Sequence, residues 1–98
     1  MSDTSKPDTS VTDNTERHRF EITADGKQAG YTEYVLGEGV IDLTHTVVDD
    51  AFEGQGIGGT LVKSALDQAR ERGLKVVPTC KFVKSYIERH PDYADLVA

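Results

Sequence analysis

The sequence predicts an α+β domain of two layers: an antiparallel β-meander plus one further strand, with two helices packed on the sheet. Apolar and β-branched residues alternate through three segments between residues 17 and 48. Those segments are separated by Asp25-Gly26 and by Gly37-Glu38-Gly39, both strong turn signals. The period then lengthens to that of a helix, from Ile57 to Ala69. A chain of 98 residues with 37% hydrophobic composition has room for one domain and one core.

Residues 1–17 hold seven Ser or Thr and four acids, and only Met1 and Val11 are clearly apolar. Such a segment buries too little surface to offset its ordering entropy. Residues 1–16 therefore read as a disordered tail and 17–98 as the folded domain. The first strand spans Arg17–Thr23, with His18, Phe20 and Ile22 on one face. A second runs from Ala29 to Leu36, rich in Tyr, Thr and Val. Val40 to Val48 forms the third, with Ile41, Leu43, His45 and Val47 sharing a face.

Ile57, Leu61, Val62, Ala65, Leu66 and Ala69 line one side of a four-turn helix. Arg70 and Arg72 suit its last turn, and Gly73 its C′ position. Lys75 to Thr79 reads as a short buried strand, with Pro78 confined to an edge, an end or a distortion. A second helix covers Lys81 to Arg89, with Phe82, Val83, Tyr86 and Ile87 as its apolar face. His90-Pro91 ends it, and Tyr93 to Val97 packs back on the sheet.

Composition excludes several classes. A net charge of −6 without any basic run argues against nucleic acid. It suits a cationic substrate such as an amine. No run approaches the ~18 apolar residues of a membrane span. The N-terminus lacks the apolar stretch of a secretory signal. One Cys forms no internal disulfide. The expected compartment is the cytoplasm. The three His and the Cys have no metal-ligand spacing.

Phe52-Glu-Gly-Gln-Gly-Ile-Gly-Gly-Thr60 is the most informative segment. It follows a strand and opens a helix. Gly54, Gly56, Gly58 and Gly59 leave backbone N–H groups unobstructed at a helix N-terminus, which is an anion cradle suited to phosphate. The plain alternative is a tight strand-to-helix turn, but four glycines in six positions exceed what a turn needs. Gly54, Gly56 and Gly59 match the dinucleotide fingerprint in letters. That reading fails, because Asp49 to Glu53 separates strand from glycines and no acid follows the next strand. An ATP-type P-loop fails because Thr60 stands where its Lys is required.

The loop and its setting resemble the GNAT superfamily of acyl-CoA-dependent N-acyltransferases. That family's motif, R/Q-x-x-G-x-G/A, corresponds to Glu53-Gly-Gln-Gly56-Ile-Gly58. Glu53 departs from the usual Arg or Gln, which removes one phosphate contact and leaves the amide cradle. From about Arg17 to Val97 the chain resembles the very small YjdJ-type subfamily. The residues that carry this are His45-Thr46, the glycine loop, Pro78-Thr-Cys80-Lys-Phe-Val-Lys-Ser-Tyr86 and His90-Pro-Asp-Tyr93. The resemblance implies a minimal GNAT-like fold that binds acetyl-CoA between a splayed strand and the helix N-terminus. The amides of Gln55 to Gly59, with Gly54 and Thr60 beside them, would hold the pyrophosphate. The edge of Val47-Val48 would pair with the pantetheine arm.

Family enzymes often use a Tyr seven residues after an Asn as acid to the leaving thiolate. Counted from Cys80, that place is Ile87, and Tyr86 is one position off. Tyr86 is either that acid or a core residue with its hydroxyl at the rim. Cys80 follows the last strand and precedes the second helix, whose dipole favours a thiolate that could take an acetyl group. The resemblance points the same way; the alternative is a small buried thiol. His45 is either a satisfied core residue or a general base toward the amine or Cys80. Lys63 and Lys75 either flank a nucleotide phosphate or lie on the surface. The expected function is acetyl transfer from acetyl-CoA to an amine, small or on a protein, by a monomer or weak dimer. The alternative is a non-catalytic CoA-binding module or sensor. The chain ends soon after the second helix, so the acceptor wall of larger relatives is expected to be missing, supplied by another chain or replaced by a large substrate.

Overall fold

A computed structural model describes residues 8–98. Five strands form one sheet in the order β1-β2-β3-β4-β5. β1 (Thr9–Asn14), β2 (Arg19–Ala24), β3 (Lys27–Gly37) and β4 (Val40–Val48) make an antiparallel meander. β5 (Lys75–Val77) lies parallel to β4, after the crossover helix α1 (Ile57–Glu71). α2 (Lys81–Arg89) follows, and a 3-10 segment, Pro91–Leu96, returns to the sheet. Val97 bridges Val76, and the Ala98 amide donates to the Val76 carbonyl.

Local chemistry explains the joints. Asp25 and Gly26 both have positive φ, 51° and 81°, as a two-residue hairpin of type I′ requires. α1 ends in a Schellman motif: Leu74 N–H reaches the Ala69 carbonyl and Gly73 N–H the Arg70 carbonyl, with Gly73 at φ 71°. Pro78 lies just past β5, where no ladder donor is needed. α1 buries Ile57, Leu61, Val62, Ala65, Leu66 and Ala69 against Phe20, Ile22, Ile41 and Leu43.

Two sequence expectations change here. Thr9–Asn14 is not part of a disordered tail; it is β1, paired over six residues with β2. Composition counts side chains, whereas this edge strand is held by its backbone ladder and by polar ties. Val11 packs on the core, Tyr34 donates to Asp13 at 2.6 Å, and Arg72 pairs with Asp13 at 2.6 Å. The remainder of the tail expectation, residues 1–7, lies outside the described residues. His18 is not on the face of Phe20 and Ile22 either. It is exposed at the end of the β1–β2 turn at φ 55°, its ring edge-on to Tyr34.

β4 holds the feature that positions the site. Glu33 pairs with His45, but Tyr34 pairs with Leu43, so Thr44 is an extra residue. This β-bulge reverses the alternation. Ile41 and Leu43 face the core, and beyond the bulge Thr46 and Val48 continue that face. β5 accompanies β4 only from Val40 to Asp42. The Cys80 amide still donates to the Leu43 carbonyl, at 2.9 Å. From Thr44 to Val48 no described strand runs along that edge of β4.

Candidate functional site

A cavity of about 410 Å³ opens where β4 and β5 part. Thr46 and Val48 line it from β4, Phe52 from the loop, Ile57 from α1 and Phe82 from α2. Glu53, Gly54, Gly56, Gly58 and Gly59 complete its wall, so one carboxylate stands beside the helix start. The glycines serve different ends. Gly54 and Gly56 have positive φ, 82° and 75°, which turns the loop into the helix. At Gly58 a Cβ would come within 2.6 Å of the Phe82 ring, so its absence lets α1 and α2 meet.

The first helical bond of α1 runs from Thr60 N–H to the Gly56 carbonyl, at 3.0 Å. The N–H groups of Ile57, Gly58 and Gly59 therefore precede the ladder, and Gly56 offers no side-chain cap. This uncapped terminus borders the cavity, a geometry suited to an anion. The expected cradle of Gln55 to Gly59 narrows. Gln55 N–H already donates to the Phe52 carbonyl, and Thr60 N–H is inside the helix. Val48 lines the cavity, whereas Val47 pairs with Tyr31 on the other face of the sheet.

Cys80 is the N-cap residue of α2 and is half-buried. Its sulfur lies 3.4 Å from Oγ1 of Thr46, which lines the cavity, although Cys80 itself is not among the lining residues. Burial pushes the thiol up, but the Thr46 hydroxyl and the N–H groups of Val83, Phe82 and Thr46 outweigh it. The net effect holds the thiol below its ordinary value.

His45 does not meet Cys80. The expectation of a shared apolar face assumed unbroken alternation, and the Thr44 bulge turns His45 outward, exposed and opposite Glu33. Thr46 takes the place beside the sulfur. Tyr86 is buried in α2 near Gly59, its ring stacked on His90 at 4.0 Å. Burial raises its phenol most, Lys63 lowers it and Asp67 raises it again. Tyr86 is not among the residues lining the cavity. Lys63 pairs with Asp67 at 2.9 Å, and Lys75 donates to the Asp95 carbonyl at 2.7 Å. Neither borders the glycine loop cavity.

Sequence reasoning missed Thr46, Phe52 and Phe82 as lining residues. Phe82, expected on the apolar face of α2, is 39% exposed and lies over Gly58 at the cavity wall. Phe52, four residues before Gly56, could have been found from its place in the loop, whereas Phe82 reaches Gly58 only through the packing of α2 on α1.

The family model for GCN5-related N-acetyl-transferases matches residues 19–96. The chain belongs to this family. It is 37% identical over 79 residues to Protein NATD1 of Mus musculus, covering 78% of this chain and 71% of that protein. With Protein NATD1 of Gallus gallus it shares 44% over 59 residues, 60% of this chain and 53% of the relative. Among solved structures, a GCN5-like protein of Staphylococcus aureus superposes with a TM-score of 0.70 at 27% identity, covering 91% of this chain and 87% of that one. The ribosomal-protein-S18-alanine N-acetyltransferase of Escherichia coli aligns with a TM-score of 0.63 at 23% identity, over 76% of this chain and 52% of the other. At that identity the likeness is one of fold. Among the described residues, no helix is long and apolar enough to cross a membrane.

Proposed function

We propose that this GNAT domain is an acetyl-CoA-dependent N-acetyltransferase, of the very small YjdJ-type subfamily, acting on an amine of a small molecule or a protein. The observation that carries the reading is the uncapped start of α1, which opens on the same cavity as the unaccompanied half of β4. Acetyl-CoA fits this geometry. The free amides of Ile57 to Gly59 would take its pyrophosphate, and no Cβ at Gly56, Gly58 or Gly59 obstructs their approach. The edge from Thr44 to Val48 would accept the pantetheine amides as a strand does. When bound, acetyl-CoA supplies an acetyl group activated as a thioester.

Cys80 is the candidate nucleophile. Its thiolate would attack the acetyl carbonyl carbon and form a new C–S bond, while the bond to the CoA sulfur breaks and that sulfur leaves as a thiolate. The Thr46 hydroxyl and the amides at the start of α2 support the thiolate form. His45 has no part in this step. The proposed setting is the cytoplasm, as a monomer or weak dimer.

Calorimetry with acetyl-CoA tests the binding, and ligand at 100-fold its dissociation constant should stabilise the fold by ~2.7 kcal/mol. Gly56→Val should abolish binding in a folded protein, since its φ of 75° disfavours a branched side chain. Absence of heat and of a melting shift at saturating acetyl-CoA would overturn the reading. Intact-mass analysis should find acetyl on wild type and none on Cys80→Ala. Binding with neither adduct nor amine acetylation would identify a non-catalytic CoA-binding module.

A further inference from the structure

We propose that Thr32 is a positioning residue whose buried hydroxyl sets the direction of a hydrogen-bond chain ending on the Cys80 sulfur. Thr32 is fully buried, in the middle of β3. Its Oγ1 lies 3.3 Å from the His45 carbonyl oxygen and 2.9 Å from Thr46 Oγ1. Thr46 Oγ1 in turn lies 3.4 Å from Cys80 Sγ. The chain exists because the Thr44 bulge turns Thr46, rather than His45, toward Thr32 and the helices.

Each hydroxyl has one proton, so the chain has two coherent settings. In the first, Thr32 donates to the His45 carbonyl. Thr32 then accepts from Thr46, and Thr46 accepts from the Cys80 S–H. Three bonds form and the sulfur keeps its proton. In the second, the sulfur has released its proton to solvent and Thr46 donates to the thiolate. Thr32 must then turn to donate to Thr46, because two facing lone pairs at 2.9 Å repel. The His45 carbonyl loses its Thr32 bond. Thr32 thus supplies two bonds to the thiol setting and one to the thiolate setting. Thr46 supplies the donor that the thiolate needs.

The other groups around the sulfur do not offer this switch. The amides of Thr46, Phe82 and Val83 are fixed donors. On the elements packed around Cys80, Asp42 accepts from the Thr79 hydroxyl, Lys81 and Lys84 are exposed, and His45 faces away. Use of the switch in acetyl transfer rests on the acetyl-CoA reading; its existence does not.

The two hydroxyls therefore have opposite expected effects. The test is the pH dependence of iodoacetamide labelling of Cys80, the chain's single Cys. It is run without CoA, so a failure of acetyl-CoA to bind leaves it readable. Thr32→Val should lower the midpoint by about half a pH unit or more, the equivalent of one net hydrogen bond. Thr46→Val should raise it by about one unit. Thr32→Ser should restore the wild-type midpoint. Thr32→Ala, which removes the same hydroxyl with less bulk, is read in parallel in case the valine disturbs folding. A midpoint that stays or rises in both Thr32→Val and Thr32→Ala overturns the proposal. So does a Thr32→Ser shift equal to that of Thr32→Val, which would make the effect one of packing.

Discussion

The two halves of β4 differ in almost every respect. Val40 to Asp42 is flanked by β3 and β5, the Leu43 carbonyl accepts from the Cys80 amide, and Ile41 and Leu43 are sealed in the core. Thr44 to Val48 pairs with β3 alone, stays half-buried or exposed, and faces a cavity. One bulged residue separates them. The first half has its backbone groups satisfied within the sheet and its side chains packed, so it fixes the position of β5 and hence of Cys80. The second keeps a strand edge free for a ligand, at the cost of less buried surface. Stability and function are therefore expected to map to opposite sides of Thr44.

Core truncation gives the largest expected contrast. Leu43→Ala removes a fully buried side chain and should destabilise by about 2–5 kcal/mol. Val48→Ala, on a half-buried side chain, should cost less than half as much and weaken acetyl-CoA binding instead. Chemical denaturation of both variants checks this, and equal losses would break the distinction. Gly30→Ala probes the second half from its partner strand. A Cβ there would stand 2.5 Å from the Val47 carbonyl oxygen, so backbone must move. The expected cost is about 1–3 kcal/mol, with faster amide exchange confined to Thr46–Val48.

Tyr34 pairs with Leu43, the last residue before the bulge. Burial, then its bond to Asp13, pushes its phenol up to about 12 from 10.0. The folded state thus holds this proton more tightly than the unfolded chain. The resulting stability is fully present below pH 10 and is lost as pH rises toward 12. Its size is on the order of 2 kcal/mol. Tyr34→Phe should flatten the alkaline fall in stability without abolishing it, because burial also raises Tyr86 and Tyr93. Urea titrations between pH 9 and 12 measure the slope.

What was legible in the sequence follows the same division. Regular periodicity located α1 and α2, and Asp25-Gly26 and Gly73 marked real changes of direction. The glycine loop marked the uncapped helix start. Thr9–Asn14 was hidden because an edge strand with one apolar residue has almost no hydrophobic pattern to detect. The bulge was hidden for a related reason. Thr44, His45 and Thr46 are all polar, so nothing in their order shows which one is extra. That one-residue ambiguity exchanges His45 for Thr46 beside Cys80, the kind of slip that period-two reasoning cannot detect by itself.

The smallest expected effect discriminates most sharply between those two residues. His45→Ala removes an exposed side chain on the face of β4 away from Cys80. It leaves the backbone carbonyl, the atom that accepts from Thr32, in place. Stability should change by no more than about 0.5 kcal/mol, and the pH midpoint of Cys80 labelling should match wild type. A general base in contact with the thiol would behave differently, since its loss would slow labelling near neutral pH and shift the profile. Thermal melts and timed iodoacetamide labelling of His45→Ala beside Thr46→Val separate the cases. A shifted profile in His45→Ala would mean that the imidazole reaches the sulfur and that the chain alternates through Thr44 without a bulge in solution. An unshifted profile there, with a raised midpoint in Thr46→Val, assigns the thiol's partner to the hydroxyl that the bulge turns inward.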